Sequence, residues 1–244
     1  MLIILYGQQK SASTYLAQIA RAACAIRGGN QMALRKRLLT GPWERNRTFW
    51  RDDLTRIGEL ADQVGPNGAM SIKTHSGYLP AYDALFARPD IRLFMSYRHP
   101  GDAALSAWEA GTRARAEGDP NKPFFSNLLT HRAAIDWMAG VVQMVTIPWL
   151  RSRLGQAFSY EVLTSDTAAV LAALAEALDL DPAALAADPE VAALVAGNAR
   201  PYNFNQGVAG RHREVFDAAD LAHLEARCGR FIAFCQGEIA VSDL

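Results

Sequence analysis

Cysteine is scarce in this chain, with three residues, Cys24, Cys228 and Cys235, among 244. Three cysteines make no disulfide framework, so the fold must be held by its core, and a reducing compartment suits it. Cys228 and Cys235 stand seven apart, a spacing that fits one helix face better than a zinc site. Excess charge is missing too: Lys plus Arg and Asp plus Glu number 25 each, which removes any net-charge argument for nucleic acid. No stretch approaches the ~20 apolar residues of a membrane span. The opening apolar run is too short for a secretory signal and lacks its basic flank. Internal repeats and low-complexity linkers are also lacking. The expectation is one cytoplasmic domain over residues 1–244, with no nucleic-acid or membrane partner; half its residues are hydrophobic, enough for a sizeable core.

The informative residues come first. Met1 to Tyr15 read MLIILYGQQKSASTY: a short apolar run, one glycine, then lysine and small hydroxyl residues. The run fits a buried strand. Leu16, Ile19, Ala20 and Ala23 then recur at helical spacing, so a helix begins just after Lys10. A strand, a tight lysine loop and a helix N-terminus together suit phosphate, because free N–H groups and the helix dipole favour an anion there. The loop is not a Walker A motif, which needs G-x-x-x-x-G-K-[ST]. Residue 12 is alanine and no second glycine precedes the lysine.

Further along, strands are expected at 69–73, 91–97 and near 156–160, and helices at about 12–27, from Pro100, at 128–144, twice within 165–195, and at 217–235. Residues 112–127, with charges, two prolines and an FF pair, read as a mobile loop. Short apolar strands alternating with helices predict an α/β fold, a mostly parallel central sheet covered by helices on both faces. Ligands of such sheets bind beyond the carboxyl ends of the strands. Three of those ends carry reactive groups: Lys10 after the first, Lys73-Thr74-His75 at the second, and Tyr97-Arg98-His99 at the third, with Ser106 on the following helix. One shared site explains them better than three coincidences.

These segments carry a family resemblance. YGQQKSASTYL resembles the 5′-phosphosulfate loop of sulfotransferases that use 3′-phosphoadenosine 5′-phosphosulfate (PAPS). SYRHPGDAALSAW resembles their 3′-phosphate motif, and IKTHSGYLP the segment that supplies the catalytic histidine in the cytosolic-type branch. FSYEVLTSD and FNQGVAGRHREVF resemble two later segments, so the likeness spans nearly the whole chain in the family's order.

The resemblance implies a three-layer, P-loop-like sulfotransferase fold and sulfuryl transfer from PAPS to a hydroxyl, or amine, of a small-molecule acceptor. The co-product would be adenosine 3′,5′-bisphosphate (PAP), and no metal is implied. His75 would be the general base, with Lys10 and Lys73 at the transferring group. Ser11, Ala12, Ser13 and Thr14 would cradle the 5′-phosphate, and Tyr15 stands where the family stacks tryptophan on adenine. Arg98, Ser106 and Gly207 would serve the 3′-phosphate end. The late loop departs from the family: Asn205-Gln206 replaces Arg-Lys, and His212 replaces a tryptophan. Arg200, Arg211 and Arg213 are the nearby cations available to compensate.

Other residues read as supporting ones. His99 suits a supporting or surface place, His131 a helix surface or, as the alternative, the acceptor side, and Tyr160 and Glu161 a strand end. The basic and aromatic stretch 35–56 is either an acceptor wall or a solvated helix face. A homodimer is possible. The competing functions are a non-catalytic nucleotide-binding protein of the same fold and a P-loop kinase, the latter lacking its glycine pattern and magnesium-binding acid.

Overall fold

In a computed structural model, residues 1–28, 33, 34, 36, 54–118, 123–197 and 208–244 are described. Four strands, β1 (Leu2–Gly7), β2 (Met70–Thr74), β3 (Ile91–Tyr97) and β4 (Gln156–Ser159), form one sheet in the order β2-β1-β3-β4. All three pairings are parallel. The expected α/β architecture is present.

Every residue of β1 is buried, as a strand covered on both faces requires. Its side chains alternate between two cores. Ile3 and Leu5 pack with Leu16 and Ile19 of α1 (Ser13–Gly28) and with α9 (Thr167–Leu178), α10 (Pro182–Ala187) and α11 (Pro189–Val195). Leu2, Ile4 and Tyr6 pack with α2 (Leu54–Val64), α3 (Tyr82–Phe86) and Trp149. A third core joins α4 (Pro100–Glu117), α6 (His131–Val141) and α13 (Ala218–Cys235), the last preceded by the single turn α12 (His212–Val215). Truncating a fully buried residue such as Leu16 or Ile19 to alanine costs ~2–5 kcal/mol. Cys228 and Cys235 both lie on α13, as their spacing predicts.

Three segments differ from expectation. Residues 112–117 continue α4, and Pro123–Ser126 form a short helix, α5. The charges read as a loop belong to the solvated face of α4, while Ala110, Gly111 and Ala114 face inward. Arg115 on that face donates to the Ser126 carbonyl at 2.8 Å, holding α5 in place. Within 165–195 there are three helices after α8 (Tyr160–Ser165). Pro189 lacks the N–H needed to continue α10, and the Asp188 carboxylate caps the next helix on the N–H groups of Glu190 and Val191.

The helix expected at 128–144 runs on through a π turn (Val142–Thr146) into α7 (Ile147–Ser152). Pro148 supplies no N–H to the Met144 carbonyl, and its ring crowds that turn, which widens there. The widened turn lets Thr146 Oγ1 meet the Tyr6 hydroxyl at 3.0 Å. His131–Ser152 is thus a 22-residue helix holding an 18-residue window of mean hydropathy 1.3, long and apolar enough by composition to cross a membrane. Asp136, Gln143 and Thr146 interrupt it, so it departs from the expectation of no such stretch without being an unbroken apolar run. Its Ala134, Ile135, Met138 and Val142 side chains are packed in the third core.

Register aligns the strand ends. Tyr6 faces Thr74, Gly7 faces Ser96, and Tyr97 faces Ser159. The segments after β1, β2 and β3 therefore leave one edge together.

Candidate active site

The loop after β1 turns sharply. Gly7 is required because a Cβ there would sit 2.1 Å from Ser13 Cβ. Two non-glycine residues take the left-handed conformation, Lys10 (φ 69°) and Ala12 (φ 61°), with Ser11 between them. Each costs ~1–3 kcal/mol, strain that folds retain mainly at ligand sites. The glycine missing from the sequence is replaced by strained residues. Alternating handedness turns successive N–H groups to one side. The N–H groups of Ser13 and Thr14 precede the first i−4 bond of α1, from Leu16 N–H to the Ala12 carbonyl at 3.1 Å, so they are available to an anion.

The hydroxyl residues divide. Ser11 is fully buried. Its hydroxyl donates to the Gln8 carbonyl at 2.7 Å and lies 2.8 Å from Ser96 Oγ. Having one proton, it has none to offer a phosphate; Ser11 clamps the loop to β3, contrary to the expected phosphate contact. Thr14 Oγ1 accepts from Lys73 Nζ at 3.1 Å and keeps its own proton. The Tyr15 hydroxyl lies 3.5 Å from Thr167 Oγ1 on α9. Lys10 Nζ stands over the Phe125 ring, 5.4 Å from its centre.

At the β2 end, His75 Nδ1 lies 2.5 Å from the Gly7 carbonyl. Burial and the Lys73 charge push the His75 pKa down, against the Gly7 bond, to about 3. Burial also lowers Lys73, to about 8. The segment beyond is held firmly: Trp149 Nε1 donates to the Ser76 carbonyl at 2.8 Å, and Ser76 N–H to Thr74 Oγ1 at 2.9 Å.

At the β3 end, Arg98 is 7% exposed. Its guanidinium lies 3.8 Å over the Tyr160 ring and donates to the carbonyls of Lys10 (3.4 Å) and Val208 (3.0 Å). Among the described residues Nε has no partner, and no carboxylate is hydrogen-bonded to the group. Burial lowers its pKa. A buried cation satisfied only by carbonyls and a ring fits an anionic ligand. Ser106 is buried on α4, four residues beyond Asp102 and so on the same helix face.

Gln8 was not anticipated. It is fully buried; its Oε1 accepts from Arg98 N–H at 2.9 Å and its Nε2 donates to Met138 Sδ at 3.2 Å. It joins the ends of β1 and β3 to α6. Nothing in an isolated glutamine announces that role.

His99, Asp102 and His212 bring ligand atoms within 4.8 Å of one another. The imidazoles stack at 4.4 Å, 19° apart. A ring nitrogen binds an ion in its own plane, and two nearly parallel planes do not meet at one ion. Both Asp102 oxygens already accept N–H groups, from Gly210 at 2.6 Å and from His212 Nδ1 at 2.9 Å. The cluster holds chain, not metal. His131, at the start of α6, is half-buried: it meets Trp108 edge-on at 4.4 Å and pairs with Asp220 at 3.0 Å. Arg211 is committed to Glu109 at 2.6 Å, so it is no replacement for the late-loop cations. Gly207, Asn205, Gln206 and Arg200, and most of 35–56, lie outside the described residues.

No protein-family model matches the chain, and no curated protein sequence does either. Solved structures match in fold. Mouse sulfotransferase SULT7A1 complexed with PAP aligns with a TM-score of 0.59 over 98% of this chain and 89% of its own, at 17% identity. Retinol dehydratase in complex with androsterone and inactive cofactor PAP aligns at 0.51 over 93% and 79%, with 14% identity. The chain shares the α/β fold of these two structures.

Proposed function

We propose that this chain is a sulfotransferase that carries the sulfuryl group of PAPS to a hydroxyl, or amine, of a small-molecule acceptor, with His75 as general base. The observation that carries this reading is the 3.1 Å contact of Lys73 Nζ with Thr14 Oγ1. It joins the β2 end, and with it a neutral histidine, to the strained anion loop. The PAP bound in both fold relatives supports the donor, and the androsterone bound in retinol dehydratase supports a small acceptor.

The residues suit this chemistry. The donor's 5′ end would meet the Ser13 and Thr14 N–H groups and the Thr14 hydroxyl, and its 3′-phosphate the Arg98 guanidinium, which suits a bidentate contact. His75 Nε2 accepts the acceptor proton as the acceptor oxygen bonds to sulfur. The bond from sulfur to the bridging oxygen breaks, and the charge gathering on that oxygen is stabilised by Lys10 and Lys73. Most of the acceleration comes from placement and charge stabilisation, with ~10²–10⁴-fold from the base. Three cysteines, none of them in a disulfide, suit a cytoplasmic setting.

Thermal-shift titration tests the donor assignment. PAP raises the melting temperature at concentrations where ATP with magnesium does not. Stabilisation by ATP alone would replace this reading with a kinase.

A further inference from the structure

Asp102 lies on the first turn of α4 and is 3% exposed. A carboxylate this deep requires full hydrogen bonding. Among the described residues its hydrogen bonds all come from one short segment: the Gly210 N–H at 2.6 Å, the His212 N–H at 3.2 Å and His212 Nδ1 at 2.9 Å. Burial raises its pKa, but these bonds and the nearby Arg98 charge outweigh that and hold it at about 2. His212 is itself 4% exposed and stacks on His99. Space for it is made by Gly101, where a Cβ would stand 2.6 Å from the His212 ring.

The same segment has two further ties to this side of the sheet. Arg211 pairs with Glu109 at 2.6 Å, and the Val208 carbonyl accepts from Arg98 Nη2 at 3.0 Å. Asp102 stands four residues beyond Arg98 in sequence, yet its oxygens are taken by N–H groups of residues 210–212. Among the described residues the Arg98 guanidinium has no hydrogen-bonded counter-ion.

We propose that Asp102 and His212 form a buried latch that sets the pose of Arg98 through Val208, making Asp102 a positioning residue for the donor's 3′-phosphate. The proposal rests on the donor reading above. The latch acts on one end of the ligand only, so it affects a nucleotide that carries a 3′-phosphate and spares one that lacks it.

Calorimetric titration of the full chain with PAP and with adenosine 5′-monophosphate tests this. Wild type prefers PAP. Asp102→Asn places an amide N–H against the Gly210 or His212 donors, and His212→Leu removes the ring donor. Each reduces the preference ~10–100-fold with affinity for the monophosphate unchanged. His212→Asn, whose amide nitrogen takes the place of Nδ1, retains the preference. The latch is refuted if Asp102→Asn leaves the preference intact, if both nucleotides weaken together, or if His212→Asn is as damaging as His212→Leu. Wild type without a preference for PAP overturns the donor reading itself, and the latch with it, before any variant is compared.

Discussion

The His75 ring donates from Nδ1 to the Gly7 carbonyl at 2.5 Å. A carbonyl only accepts, so this bond fixes the tautomer and leaves the Nε2 lone pair able to accept a proton. The two residues sit at the ends of neighbouring strands, β2 and β1. The orientation of the ring is therefore built into the sheet.

Because the His75 pKa lies at about 3, its own protonation does not switch activity off near neutrality. The rate profile has no acid limb centred near 6.5. It falls instead above about pH 8, where Lys73 loses its proton. Steady-state rates across pH 5–10 check this, and Lys73→Arg moves the alkaline limb upward.

The same residue couples folding to pH. Its folded pKa is below the unfolded value, so between about pH 3 and 6.5 the unfolded chain binds a proton that the native state does not. Stability therefore rises with pH through that window. His99, lowered to about 4 by burial and by His212, acts in the same direction. Urea midpoints at pH 5 and pH 7 measure the slope, and His75→Gln flattens it by up to ~2 kcal/mol.

Arg98 tests the 3′-phosphate contact. Arg98→Met keeps apolar bulk over Tyr160 but removes the charge. PAP affinity falls ~10–100-fold while affinity for adenosine 5′-monophosphate holds, since charge-assisted bonds contribute about 1.5–3 kcal/mol. Equal loss for both nucleotides would assign Arg98 to the fold alone.

Strain in the anion loop has its own signature. Ala12→Val, at φ 61°, places a β-branched residue in the left-handed region and lowers stability by ~1–2 kcal/mol or more. Ala12→Gly relieves strain at the cost of chain entropy and comes out within ~1 kcal/mol of wild type. Urea denaturation of both variants decides; equal, small effects would mean that the loop bears no strain.

Much of this was legible in the sequence because it is local. Strand β3 matches its expected span, and the strand-ending Lys73 and His75 and the Arg98 turn leave one edge as the parallel pattern requires. What escaped notice depends on distant partners. Whether Ser11 faces ligand or core is decided by Ser96, 85 residues away. The part played by Asp102 depends on Gly210 and His212, more than a hundred residues further along the chain. The charges of 112–117 resembled a loop because the apolar face of α4 is built of alanine and glycine, a weak periodic signal.

Transfer of radiolabelled sulfate from PAPS to an acceptor panel, run with wild type and His75→Ala, tests the central claim most directly. The account predicts labelled product with wild type and a loss of ~10²–10⁴-fold in turnover for His75→Ala, at undiminished affinity for PAP. Equal turnover by the two proteins, or PAP binding without transfer to any acceptor, would contradict it.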